Sequence, residues 1–163
     1  MYAALSAARA GAKRVLLLDK NMIGRGGATI MAQMTVAAAL GESEPDNTRW
    51  HLEDTLTAGR DLCDENLAAL LCEQGPTRMR EMDDWGVGWA RENGHIAQVM
   101  APGHGVKRCC YVDFLNTGPA VSGTLRNRVS RDSSITRVSN VTVTDLVTAD
   151  DRCYGAIGYD VAS

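Results

Sequence analysis

The hydrophobic pattern at the start of the chain predicts a helix followed by a buried strand. Residues 2–10 are rich in alanine at helical spacing, and Gly11 follows as a helix stop. Residues 13–20 place four consecutive aliphatic positions before Asp19, which is typical of a short buried strand. A small-residue helix, a glycine and a strand that ends on an acidic residue form the second half of a βαβ unit.

The middle of the chain has the spacing of amphipathic helices. Residues 46–60 have a capping residue at Asp46 or Asn47, and a second helix is predicted over residues 64–84. Pro76 is expected at or near a helix start, where its missing N–H costs nothing. The apolar positions expected to face the core are Trp50, Leu52 and Leu56 in the first helix, and Leu67, Leu70, Leu71, Met79 and Met82 in the second.

Three further segments complete the predicted elements. Residues 21–41 are rich in glycine, alanine, methionine and threonine, and indicate a loop that leads into a short helix or strand. Residues 116–130 begin with Asn-Thr-Gly-Pro and predict a third helix. Residues 135–161 alternate strongly and carry two aspartates at 150–151, so they predict a β-hairpin or meander.

The composition is that of an ordinary globular domain. The chain has 163 residues, of which 45% are hydrophobic and 23% charged, so it is not a disordered tail, a collagen-like fibre or a disulfide miniprotein. A net charge of −3 gives no electrostatic reason to expect nucleic acid. Residues 41–92 hold thirteen acidic and five basic groups, which favours a solvated helical face in this segment.

The cysteines and the apolar runs limit where the protein is expected to work. The five cysteines include no C-x-x-C pair, so we expect no metal site, no disulfide framework and a reducing cytoplasmic setting. The aliphatic run at Val15–Leu18 is far too short for a direct membrane span. The first residues lack the basic region that begins a signal peptide.

Three motifs, in order along nearly all of the chain, carry a family resemblance. The matching residues are Thr29, Ala32 and Gln33 in a T-x-x-A-Q loop, residues 50–55 in a W-H-x-x-D-T stretch, and Asp113, Thr117 and Gly118 in a segment close to A-D-R-T-G-H. With these motifs the chain resembles the FAD-binding flavoprotein subunits of the succinate dehydrogenase and fumarate reductase family. L-aspartate oxidase and adenylylsulfate reductase are relatives in that family.

The resemblance implies an α/β fold: a partial, Rossmann-like FAD-binding domain over residues 1–163. Residues 1–40 would hold the second half of the βαβ unit and the flavin loop, and residues 41–92 a helical insertion. Residues 93–163 would form an extended segment, a helix and a C-terminal β-hairpin or meander. The first strand and the Gly-x-Gly-x-x-Gly phosphate turn of such a domain are missing from the sequence, so we expect an N-terminal fragment that begins inside the helix.

The resemblance also implies which residues bind FAD. Asp19 can accept hydrogen bonds from the adenosine ribose, although a solvated strand end is the alternative. Gly26 and Gly27 let the backbone approach a phosphate or a flat ring, although a plain flexible loop is the alternative. Thr29 and Gln33 offer a hydroxyl and an amide to the polar edge of the flavin. The complete expected set is Asp19, Lys20, Gly26, Gly27, Ala28, Thr29, Ala32, Gln33, Asp113 and Thr117.

The chain departs from the family pattern at three places. Ala28 stands where covalent members carry a flavin-linked histidine, which implies noncovalent FAD. Met34 and Thr35 replace the Gly-Gly pair that follows the glutamine. Pro119 stands where the family has a dicarboxylate-binding histidine, and its ring offers no donor. His104 is the one catalytic candidate, as a substitute imidazole, against the alternative of a loop histidine without a special role.

The function that the resemblance implies is FAD-dependent oxidoreduction, with hydride transfer between the flavin and an organic acid such as a dicarboxylate. An aspartate-oxidase-like or adenylylsulfate-reductase-like flavoenzyme and a noncatalytic FAD-domain fragment are alternatives. A nicotinamide-binding Rossmann domain fits Asp19 but not the loop over residues 26–33. The chain alone is expected to be inactive. The expected partners are a small-molecule substrate and an iron–sulfur electron-transfer subunit that would hold the protein at the inner face of a membrane.

Overall fold

The computed structural model describes residues 1–113 and 115–161, which form two compact units. The first unit contains Met1–Met31 and the chain from Ser122 onward, and the second contains Ala32–Val121. The assignment of residues 1–163 to one partial domain, with segments divided at residues 40 and 92, stays a prediction. The elements are α1 (Tyr2–Arg9), β1 (Val15–Asp19), α2 (Ala28–Met31), β2 (Val36–Ala37), α3 (Thr48–Gly59), α4 (Glu65–Asp84), β3 (Arg91–Glu92), β4 (His95–Ile96), β5 (Gln98–Val99), β6 (Cys109–Cys110), α5 (Thr117–Arg131), β7 (Ile135–Ser139), β8 (Val141–Ala149) and β9 (Arg152–Asp160).

The first unit is built on a parallel pair of strands. Strand β1 pairs with β7 from Val15 opposite Ile135 to Asp19 opposite Ser139. Within the described residues, β7 is the one strand hydrogen-bonded to β1. The alternation predicts that residues 135–139 belong to the C-terminal hairpin, but they pair with β1 instead. Asn140 turns the chain with a φ of 63° before β8 begins.

Strands β8 and β9 form the predicted C-terminal hairpin. Asp150 and Asp151 connect them with φ values of 48° and 57°, the left-handed conformations that a tight hairpin turn of type I′ requires. Aspartate tolerates this conformation better than most residues, so the turn chemistry confirms the prediction at these two positions.

The second unit contains a small antiparallel sheet in the order β2, β6, β5. The central strand β6 is fully buried, and burial raises the pKa of the Cys110 thiol to about 12. This thiol therefore stays protonated and packs as a small apolar side chain. The side-chain amide of Gln98 in β5 donates to the carbonyl of Ala38 at 3.0 Å, which connects β5 to the residue that follows β2.

Helix α3 begins where the sequence predicts but buries a different side. The side chain of Asn47 accepts the backbone N–H of Trp50 at 3.0 Å, so the predicted cap is confirmed. The expected apolar side is wrong at Trp50, which is 47% exposed, whereas the buried residue of this helix is His51. The same helix supplies the Asp54 carboxylate that accepts a hydrogen bond from the buried Arg108, described below.

Helix α4 also exists as predicted, but its buried side is not the leucine side. The buried positions are Cys72, Pro76 and Met79, which recur at helical spacing and face the second unit's core. Pro76 lies inside the helix rather than at a helix start. At this interior position the proline has no N–H to donate, so one backbone hydrogen bond of the helix is lost. Of the expected core contacts, Met79 is confirmed and the exposed residues Leu67, Leu70 and Leu71 are wrong. None of the helices in the described residues is long and apolar enough to cross a membrane.

This assignment of the buried side of α4 can be tested by matched truncations. Met79 is 1% exposed, so Met79→Ala should lower the free energy of unfolding by about 2–5 kcal/mol, because it removes buried contacts and leaves a cavity. Leu71 is 62% exposed, so Leu71→Ala should cost under about 1 kcal/mol. Urea denaturation of both variants measures the difference, and equal losses would contradict the assignment.

Candidate functional site

In the first unit, Asp19 lies at the carboxyl end of β1 and is hydrogen-bonded to the loop over residues 20–23, which is itself hydrogen-bonded to the end of β7. Its carboxylate oxygen Oδ1 accepts the backbone N–H of Asn21 at 2.9 Å. The N–H of Ile23 donates to Oγ of Ser139 at 3.2 Å, and the N–H of Asn140 donates to the carbonyl of Asn21 at 3.3 Å. These bonds join the loop to the end of β7. The half-buried Asp19 therefore lies at the carboxyl end of its strand, which is where open α/β sheets bind their ligands.

Gly26 and Gly27, which follow this loop, each occupy a position that disfavours a larger residue, for different reasons. Gly27 has a φ of 82°, a conformation that side chains rarely adopt, and apart from its chain neighbours no described residue has an atom within 4 Å of the position a Cβ would take. At Gly26 an added Cβ would lie 3.2 Å from Nδ2 of Asn21, so a larger residue would press on the fastened loop. The neighbouring predicted residues that are exposed are Lys20, Ala28 and Thr29. This segment thus presents open backbone and small side chains to solvent.

In the second unit, Thr117 ties the loop around Gln33 to the start of α5. Thr117 is buried, and its hydroxyl donates to the carbonyl of Met34 at 2.7 Å and accepts the N–H of Val112 at 3.0 Å. The N–H of Gly118 also donates to the carbonyl of Ala32 at 2.7 Å. Both hydrogen bonds of the Thr117 hydroxyl are therefore to backbone groups, and through them Thr117 positions the loop. Its direct contact with a cofactor stays a prediction.

The loop that Thr117 fastens carries Gln33 beside a cavity. Gln33 is exposed, and it lines a cavity of about 320 Å³ in the second unit. Asp113 is exposed and lies outside the residues that line this cavity. Hydrogen bonds to the carbonyls of Ala32 and Met34, on either side of Gln33, therefore join this loop to Gly118 and Thr117, but Asp113 does not line the cavity.

A buried charged cluster, which the sequence does not reveal, fixes the second unit around Arg108. The guanidinium of Arg108 donates to both carboxylate oxygens of Asp46, at 3.0 and 2.8 Å, and both side chains are fully buried. It also donates to Asp54, whose carboxylate accepts the backbone N–H of Gly105 at 2.7 Å. The Gly105 N–H and the nearby Arg108 charge lower the pKa of Asp54. In the sequence Arg108 stands directly before two cysteines, and no motif pairs it with Asp46 or Asp54.

Two histidines border this cluster. His51 is buried, and its Nδ1 has no hydrogen-bond partner among the described residues. The ring of His104 lies 5.9 Å from that of His51, centroid to centroid, and its Nδ1 lies 3.4 Å from Nη1 of Arg108. Burial, and then the charge of Arg108, lower the pKa of both histidines. His104 thus lies beside the Arg108 cluster and outside the lining of the Gln33 cavity. Its catalytic role stays a prediction.

Removal of Arg108 tests how much this cluster stabilises the fold. Arg108→Met should lower the free energy of unfolding by about 3–5 kcal/mol, because it leaves the fully buried Asp46 carboxylate without its cation. Arg49→Met is the matched control, since the Arg49–Glu53 pair is solvent-exposed and should contribute under about 1 kcal/mol. Urea denaturation measures both, and a loss for Arg108→Met no larger than the control would contradict a stabilising role.

The histidines also predict how stability depends on pH. Below about pH 6.5 the histidines of the unfolded chain take up protons that the folded His51 and His104 resist, because their pKa values are lowered. Unfolding then binds protons, so the melting temperature should fall as the pH drops from 7.5 toward 5. Replacement His51→Leu should make this dependence shallower than in the parent chain, with His104 as the remaining contributor. A His51→Leu profile identical to that of the parent would rule out His51 as a source.

Comparisons with known proteins agree with this arrangement. The family model described as FAD binding domain matches residues 1–161. L-aspartate oxidase of Streptomyces coelicolor is 34% identical over 157 residues, which are 95% of this chain and 26% of that protein. The fumarate reductase (CoM/CoB) of Methanothermobacter marburgensis contains a subunit that is 28% identical over 148 residues, which are 90% of this chain and 27% of that protein.

Solved structures give the same result. The Mycobacterium smegmatis Sdh1 structure in complex with UQ1 matches with a TM-score of 0.85 at 27% identity, over 96% of this chain and 28% of that one. The chain spans about a quarter of the length of the relatives it matches. The α/β fold and the resemblance to succinate dehydrogenase and fumarate reductase flavoproteins are confirmed. The chain belongs to the family of FAD binding domains, with FAD as the cofactor of that family.

Proposed function

We propose that the protein to which this chain contributes is an FAD-dependent oxidoreductase of the fumarate reductase and succinate dehydrogenase type. It transfers a hydride between the flavin and an organic acid. The observation that carries the proposal is the end of strand β1 in the first unit, where Asp19 and the exposed backbone of Gly27 follow a parallel strand. These residues lie within the range that the FAD binding domain family model matches. FAD, when bound, supplies the ring that accepts or donates the hydride.

The residues present suit such a cofactor. The second carboxylate oxygen of Asp19 is not used by any described residue, so it is free to accept ribose hydroxyls. Gly27 leaves open space over its backbone, which suits a phosphate or a ring. Thr29 and Gln33 are exposed and present a hydroxyl and an amide. Lys20 is exposed beside Asp19, and its positive charge suits a phosphate.

Noncovalent attachment of the cofactor is part of the proposal. Ala28 is the first residue of α2 and is exposed, but its methyl side chain has no nitrogen that could form a bond to a flavin ring. The chain therefore relies on hydrogen bonds and packing, with Thr117 holding the Gln33 loop in place through the Met34 carbonyl.

The substrate and the partners are proposed from the relatives. Those named above include a fumarate reductase component, which favours a dicarboxylate substrate and, as partner, an iron–sulfur electron-transfer subunit. Such a partner would place a cytoplasmic protein at the inner face of a membrane. The 34% identity to an L-aspartate oxidase favours an aspartate-oxidase-like activity as the second candidate.

The experiment is an NMR titration of the isotopically labelled chain with FAD and with FMN. The sequence contains no Gly-x-Gly-x-x-Gly turn to bind the pyrophosphate, so FAD should bind more weakly than about 1 µM. Asp19→Asn should raise the FAD dissociation constant about ten- to a hundredfold, because a charged acceptor of the ribose is lost. The FMN dissociation constant should not change, because FMN has no adenosine.

The matched control is Asp61→Asn. Asp61 is exposed and has a φ of 64°, which asparagine adopts well, so this variant should bind FAD as the parent chain does. FAD at millimolar concentration that shifts no amide signals near Asp19 and Gln33 would overturn the proposal. An Asp19→Asn variant that binds FAD and FMN with equal losses would remove the assigned role of Asp19.

A further inference from the structure

A second cavity, in the first unit, lies at the opposite end of the parallel strand pair from Asp19. Helix α1 ends at Arg9 and leads into β1, and α5 ends at Arg131 and leads into β7, so both helices end beside the amino ends of these strands. Residues from both helix ends line the cavity. Asp19 lies four residues after Val15, about 13 Å along an extended strand. The cavity is therefore separate from the strand end where FAD is proposed to bind.

Three arginines from two helices line this cavity, which we call the arginine cavity. They are Arg9 in the last turn of α1, and Arg128 and Arg131 in the last turn of α5. All three are exposed, and the cavity has a volume of about 430 Å³, within the range of small-molecule sites. Because the two helices lie far apart in the sequence, it is the folding of the first unit that brings these side chains together.

Helix capping does not account for this convergence. A cation is favourable near the carboxyl end of any helix because of the helix dipole. The last carbonyls of α1 are already used, however, since those of Ala7 and Ala8 accept the N–H groups of Ala12 and Gly11. Arg9 is therefore not required as a cap, and the dipole does not require arginines of two helices to line the same cavity.

The remaining lining residues set the charge of the arginine cavity. Leu5 is 5% exposed and gives it an apolar wall, and Ser133 offers an exposed hydroxyl. Asp132 is the one acidic residue among the described lining residues, and its Oδ1 accepts the hydroxyl and the N–H of Ser134 at 2.6 and 3.0 Å. These bonds lower the pKa of Asp132, so it is ionised at neutral pH. Three cations and one anion leave the lining with a net charge of +2.

Two further cations lie at the same end of the strand pair. Lys13 and Arg14 are exposed and directly precede Val15, whose N–H donates to the carbonyl of Ser134 at 2.8 Å. Ser134 in turn follows the lining residue Ser133. Like charges gathered in this way repel each other, and an anion with more than one charge reduces the repulsion.

We propose that the arginine cavity binds the phosphate group of a small molecule, at a site separate from the FAD site. Guanidinium groups present parallel N–H donors that match phosphate oxygens, and a phosphate has enough oxygens to accept from all three arginines. Its charge of about −2 at pH 8 also balances the excess positive charge of the lining. A carboxylate has two oxygens and one charge, so it satisfies three arginines less well. This inference does not depend on the proposed function.

The experiment is an NMR titration of the labelled chain with inorganic phosphate, glycerol 3-phosphate and acetate at pH 8 and constant low ionic strength, where screening is weak. Both phosphates should shift the amide signals of Arg9, Asp132 and Ser133, and acetate should bind there at least about tenfold more weakly. Tighter binding of glycerol 3-phosphate would assign the cavity to a phosphate ester, and equal or tighter binding of inorganic phosphate would assign it to the free ion. Equal affinity for acetate, or phosphate shifts confined to the Asp19 end of β1 or to other parts of the chain, would overturn the inference.

A charge-removing variant and its matched control separate this cavity from general attraction to a charged chain. Arg131→Met should weaken the binding of both phosphates at least about fivefold, because one guanidinium is lost. Arg49→Met removes the same charge from an exposed residue outside the lining, so it should bind phosphate as the parent chain does. Equal losses in the two variants would contradict a site at the arginine cavity.

Asp132→Asn tests the cavity by a gain of binding, which damage to the fold does not produce. The amide oxygen of asparagine can still accept from Ser134, whereas the one negative charge of the described lining is removed. The affinity for phosphate should therefore rise at least about twofold. An unchanged or lower affinity in this variant would overturn the inference.

Discussion

The buried guanidinium of Arg108 is the interaction on which the second unit depends. It compensates two carboxylates, Asp46 before α3 and Asp54 within α3, while the carbonyl of Arg108 accepts the N–H of Ala38 beside β2. One residue thereby fixes a helix, a loop and the edge of a sheet. A charge buried to this extent is tolerated only because its partners are close and well aligned, so the surrounding segments have little freedom to move apart.

The sequence predicted the elements whose causes are local. The Asn47 cap and the turn at Asp150 and Asp151 depend on residues within a few positions, and both are where the pattern placed them. The buried side of α4 depends on what packs against it, and the leucines that form the most apolar stripe, such as Leu70, are exposed instead. Pro76 shows the same limit, because a proline can be retained inside a helix when tertiary contacts offset the lost hydrogen bond.

The candidate site shows a similar division. The motif residues Asp19 and Gln33 could be named from sequence because they lie in segments with a recognisable order of residue types. The role of Thr117 could not, because its hydroxyl acts on the backbone of Met34, which lies far away in the chain. Arg108 was hidden for the same reason, since its two carboxylates precede it by more than fifty positions. Sequence motifs thus identified the candidate binding residues, whereas the tertiary structure identifies the residues that hold the surrounding segments in place.

The parallel pairing of β1 with β7 has a consequence for folding. All of the second unit, Ala32–Val121, is inserted between these two strands along the chain. The ladder can form only after this long segment is closed into a loop, and the entropy lost on closure grows with the length of flexible chain. A folded insertion shortens that flexible length. Prior folding of the second unit around Arg108 would therefore reduce the entropy lost when Asp19 pairs with Ser139, although neither strand belongs to that unit.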